Sequence, residues 1–142
     1  MEVSEVRRRL RAAIDEAKRR STERRTQRDA AARAWGELLP QTAVPAFQAV
    51  ASALTGEGHR FKVHTPGEAV RLSPDRPGEE FIELSLDTSG DEPAVMLRSA
   101  HGRGRRMVSA ERSLATGAAI SGLTQEQIVD ALLQELIPFI ER

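Results

Sequence analysis

The 142-residue sequence has no cysteine, and aromatic residues make up only 4% of it. Without cysteine there is no disulfide, no thiolate metal site and no cysteine nucleophile. Lysine is almost missing as well: only Lys18 and Lys62 occur, so the basic side of the composition is arginine. No apolar run approaches the ~20 residues of a membrane span. The N-terminus is charged rather than signal-like, so the expectation is a cytoplasmic chain that neither spans nor anchors in a membrane. Nucleotide and hydrolase signatures are missing too. There is no G-x-S-x-G elbow and no G-x-x-x-x-G-K-[ST] phosphate loop, and Gly102-Arg-Gly104 lacks the third glycine of a dinucleotide fingerprint.

What is present suits one domain, or a compact domain with an arm. A globule of this length buries roughly two-thirds of its unfolded surface, enough to fold without a staple. Charge is unevenly spread. The chain balances 21 Lys+Arg against 21 Asp+Glu, yet residues 1–36 hold eleven basic side chains against six acidic ones, a net +5. Residues 37–142 hold ten basic against fifteen acidic, a net −5. Such asymmetry marks a segment suited to an acidic surface: a partner, a nucleic acid or the chain's own body.

Residues 2–38 read as one long helix, since neither Gly nor Pro occurs before Gly36 and Ala, Arg and Glu are strong helix formers. Val3, Val6, Leu10, Ile14 and Ala17 follow one another in steps of three and four along one stripe. The stripe fails at Arg20, Arg24 and Gln27 and resumes at Ala30, Ala31, Ala34, Trp35 and Leu38. Asp15 with Arg19, and Glu16 with Arg20, have the i,i+4 spacing of helical ion pairs. The helix is expected to stop near Pro40, because the residue before a proline is pushed out of the α region. A short second helix is expected from Pro45, with Phe47, Val50, Ala51 and Leu54 on its buried face and Gly56 and Gly58 ending it.

From His59 the hydrophobic period changes from helical to alternating. Phe61/Val63, Val70/Leu72, Ile82/Leu84/Leu86 and Val95/Leu97 are successive inward sets, separated by Pro- and Gly-rich turns. A fifth strand is expected at Met107–Ala110, and residues 113–122 read as a linker. The last helix opens with a capping box, Thr124 and Gln127. Ile128, Leu132, Leu136 and Ile140 form its stripe, widened by Val129, Leu133 and Ile137 into one broad buried face, and Pro138 is expected to interrupt it. The fold class is therefore α+β. A basic helical arm (1–38) precedes a single domain (39–142) in which an antiparallel meander of four to five strands carries the C-terminal amphipathic helix.

Candidate chemistry is thin. His59 and His64, five apart, face opposite sides of one strand, and His101 falls in a turn, so no zinc-type spacing exists. Glu83 with Arg71 or Arg98 on neighbouring strands reads as cross-strand charge pairing rather than a catalytic pair. Phe61 shares a face with Val63, and Phe81 has no aromatic neighbour, so there is no stacking platform for single-stranded nucleic acid. No nucleophile stands beside a base, no cofactor is implied, and the balance leans away from an enzyme.

Two functions remain. The first is a non-enzymatic interaction module that forms a homodimer, or docks a partner protein, by burying Val3, Val6, Leu10, Ile14 and Ala17. The alternative is electrostatic nucleic-acid binding by the arm together with a hairpin tip in which Arg103, Arg105 and Arg106 offer donors to an anion.

Overall fold

A computed structural model describes residues 1–141. Helix α1 spans Val3–Leu38, α2 spans Val44–Gly56 and α3 spans Gln125–Ile140. Five strands lie between α2 and α3: β1 (Phe61–His64), β2 (Ala69–Pro74), β3 (Phe81–Asp87), β4 (Ala94–Arg103) and β5 (Arg106–Thr116). They form one antiparallel sheet in the order β1-β2-β3-β4-β5, a simple meander. The architecture is α+β, as the switch of period requires.

Register fixes which residues share a face. Val63 pairs with Leu72, Leu72 with Ile82, Val70 with Leu84, and Leu84 with Leu97, so these aliphatics form one inner face. The C-terminal part of α1, α2 and α3 cover it, and one core gathers Trp35, Phe47, Leu72, Ile82, Leu84, Leu97, Ile120, Ile128 and Leu132. The outer face is a ladder of charges. Arg71 bonds Glu83 at 3.2 Å, and Arg98 reaches Asp87 at 2.7 Å and Glu111 at 3.1 Å. Arg71 also lies 4.4 Å over the Phe81 ring.

The chain does not leave the helical region at residue 39. Leu39 (φ −57°, ψ −58°) and Val44 (φ −60°, ψ −48°), each preceding a proline, both keep α geometry. Residues Leu39–Ala43 form a π-helical turn in which the Val44 N–H donates to the Leu39 carbonyl five residues back. The wider turn relieves the clash between a proline ring and the carbonyl four residues earlier. Leu38, Ala43 and Ala46, all buried, hold the turn against the core.

Three further expectations change. β5 continues to Thr116, past a bulge opposite Val95/Met96, so residues 113–116 are strand rather than linker. Gly117–Gly122 then form a 3₁₀ helix that buries Ile120. In α3 the capping box forms, with Gln127 N–H donating to Thr124 Oγ1 at 3.2 Å and Gln127 Oε1 accepting from Thr124 N–H at 2.9 Å. Pro138 lies inside this helix, which runs on to Ile140, and its ring removes one backbone bond near the terminus. Nor is the widened α3 face buried: Ile128, Leu132 and Leu136 are, but Leu133 is 53% exposed, Ile137 52% and Ile140 43%. A helix lying on a sheet beside one neighbour presents only part of its circumference, and the outer edge of so broad a stripe stays in solvent.

Candidate functional site

Helix α1 is 36 residues long, about 54 Å at 1.5 Å per residue. Only its C-terminal third meets the body: Ala31, Trp35 and Leu38 are buried in the common core, and residues 1–30 include no buried side chain. Local ion pairs lie along the free part. Arg9 bonds Glu5 at 3.0 Å, and Glu16 receives Arg19 at 2.6 Å and Arg20 at 3.1 Å. Arg19 also reaches Glu23, so its partners are Glu16 and Glu23 and not the Asp15 that the spacing suggests. The Arg19 guanidinium, with Arg20 beside it, holds the Glu16 carboxyl below the usual carboxylate range, and Glu16 raises Arg19 in return.

Along this helix the apolar stripe is on the surface. Val3 is 75% exposed, Val6 47%, Leu10 57% and Ile14 44%, and Ala17 is exposed too. Among the described residues no other element covers these four large aliphatic side chains, which follow in heptad-like steps. Arg7 and Arg11 flank the stripe on one side without ion-pair partners, while Arg9 and Arg20 flank it on the other, each tied to a glutamate of its own helix.

The second candidate, the β4–β5 tip, is a two-residue hairpin. Arg103 pairs with Arg106, Gly104 takes φ +65°, and Arg105 has no positive φ, the pattern of a type II′ turn. Arg103, Arg105 and Arg106 are all exposed and make no ion pair among the described residues. The tip does not join the basic arm. Gln27, Ala30, Ala31 and Ala34 of α1 lie beside Glu92, Gly117, Ala118 and Ser121, at the opposite end of the β4–β5 hairpin. Ten residues of β4 separate the two, roughly 30 Å of strand.

The histidines are scattered. His59 precedes β1, where its N–H donates to the Leu54 carbonyl at 2.8 Å, and His64 contacts Ser73 Oγ at 3.2 Å on the outer face. His101 lies in β4 rather than in a turn, with its ring 5.7 Å from that of Phe139. Among the described residues no three His, Asp or Glu side chains gather as a metal site. No aromatic ring is fully exposed: Trp35, Phe47 and Phe139 are buried, and Phe61 and Phe81 are half-buried. No helix among the described residues is long and apolar enough to cross a membrane.

Sequence reasoning missed one surface. Ala49 and Ala53 of α2 and its C-cap Glu57, with Val129 and Leu133 of α3, line an almost wholly apolar groove of about 360 Å³. The width of the α3 stripe was legible in the sequence; which part of it stays uncovered was not. Compared with known proteins, the chain matches no family model, no curated protein and no solved structure.

Proposed function

We propose that this protein is a non-enzymatic interaction module that self-associates, or docks a partner protein, through the N-terminal half of α1. One observation carries the reading: Val3, Val6, Leu10 and Ile14 form an ordered aliphatic stripe with nothing covering it. An isolated helix gains little stability from propensity and most from packing. Burying each aliphatic side chain contributes on the order of 1.5–3 kcal/mol, less where the surface is already half-covered. The flanking arginines give orientation and on-rate more than affinity. Concentration-dependent sedimentation tests the reading. Leu10→Asp removes the association while leaving the thermal transition of the body in place; an unchanged sedimentation coefficient series contradicts it.

A second reading keeps electrostatic nucleic-acid binding, favoured by the unpaired cations Arg24, Arg25, Arg28 and Arg33 on α1 and by the Arg103, Arg105 and Arg106 tip. Because arm and tip stand at opposite ends of the hairpin, this reading has each engage phosphates separately. Its signature is affinity for a DNA or RNA duplex that falls linearly in log–log plots against salt. No retention on a polyanion column at low salt removes it.

A further inference from the structure

The groove between α2 and α3 has a chemistry that matches the arm. Val129, Leu133, Ile137 and Ile140 run along the open side of α3 in steps of four, four and three. The arm's Val3, Val6, Leu10 and Ile14 run in steps of three, four and four. Read antiparallel, the two series coincide: Ile14 falls beside Val129, Leu10 beside Leu133, Val6 beside Ile137 and Val3 beside Ile140. Both stripes span eleven residue rises, about 16 Å. In this register Glu126 falls opposite Ala17, next to Lys18.

The rims are of opposite sign. Glu57, at the C-cap of α2, lines the groove, and Glu126 and Asp130 are exposed on α3; among the described residues none of the three has an ion-pair partner. Arg7, Arg11 and Lys18 border the arm's stripe in the same unpaired condition. Spacing alone would also let two arms pair with each other, but an antiparallel pair of arms sets the Arg7, Arg11 and Lys18 flank of one copy against the same flank of the other. Charge favours the groove of the −5 body. The arm cannot reach its own groove, because α1 is unbroken to Leu38 and Ala17 already stands roughly 30 Å along its axis from that residue.

We propose that the arm of one copy lies antiparallel in the α2/α3 groove of a second copy, and that the exchange is reciprocal, closing a two-fold dimer. The proposal rests on the interaction reading of α1 and names its receptor.

Complementation tests it, with light scattering on the full-length chain and circular dichroism to confirm folding. Wild type is a dimer, Leu10→Asp (defective arm, intact groove) is a monomer, and Leu133→Asp (intact arm, defective groove) is a monomer. An equimolar mixture of the two variants regains a species of twice the chain mass, because one arm–groove contact is intact. If Leu133→Asp perturbs the fold, Leu133→Gln takes its place as the milder groove variant. A groove variant that folds and keeps the wild-type dimer overturns the proposal and leaves the arm's association standing. A mixture that stays monomeric also overturns it. A monomeric wild type overturns the proposal together with self-association itself.

Discussion

The indole N–H of Trp35 donates to the carbonyl oxygen of Glu68 at 2.7 Å, tying the last turns of α1 to the β1–β2 turn. This bond spans 33 residues of sequence and satisfies the one polar atom of the largest buried side chain. It makes the C-terminal third of α1 part of the body's core, whatever the first two-thirds do.

Trp35→Ala therefore destabilises the whole molecule. Deleting a buried indole costs about 3–5 kcal/mol. Chemical denaturation followed by circular dichroism should show the midpoint falling with little change in slope. A loss below about 1 kcal/mol would mean that α1 is not docked as described.

Gly117 joins β5 to the 3₁₀ helix at φ +54°, with its N–H donating to the Pro93 carbonyl at 2.9 Å. A side chain there meets the left-handed penalty, and its Cβ would run into the Glu92 carboxylate. The carboxylate can swing aside, so backbone strain sets the cost. Gly117→Ala should lose about 1–2 kcal/mol. Gly90→Ala, at ordinary φ and without a close contact, serves as the control and should lose less.

Asp87 accepts from the hydroxyl and the backbone N–H of Ser89 and from Arg98; the Ser89 bonds first, and Arg98 after them, hold its carboxyl below the usual carboxylate value. A carboxyl depressed in the folded state stabilises it at pH values above the unfolded pKa, about 3.9. That contribution disappears as pH falls through the lower folded value. The difference in melting temperature between wild type and Asp87→Asn should thus be present at pH 7 and shrink below pH 4. A gap that is constant across this range contradicts the assignment.

Much of the architecture was legible because it rests on local period. The alternation from Phe61 to Leu97 and the Thr124–Gln127 box each form as their spacing dictates. What escaped depends on tertiary balance. Pro40 and Pro45 carry strong local stop signals, yet Leu38, Ala43 and Ala46 are buried on both sides of the junction, and a π-helical turn keeps the path helical. The Ser, Ala and Thr of residues 113–116 have no pattern of their own and become strand by pairing with β4. As for the candidate site, the arm's stripe was visible in its spacing. Its exposure was not, and neither was the groove, because periodicity shows which residues share a face and not how much of that face a neighbour covers. Leu133 and Ile137 have the same spacing as the buried Leu132 and Leu136 and differ only in where the sheet lies.

The most direct test of the account is the solution mass, by light scattering after size exclusion, of the full chain and of a chain beginning at Arg25. The shorter chain keeps Ala31, Trp35 and Leu38, the α1 residues that belong to the core. The account predicts a full-length dimer and a folded monomer after truncation. The same number of chains per particle for both would show that the stripe of Val3, Val6, Leu10 and Ile14 holds no second copy, and would contradict it.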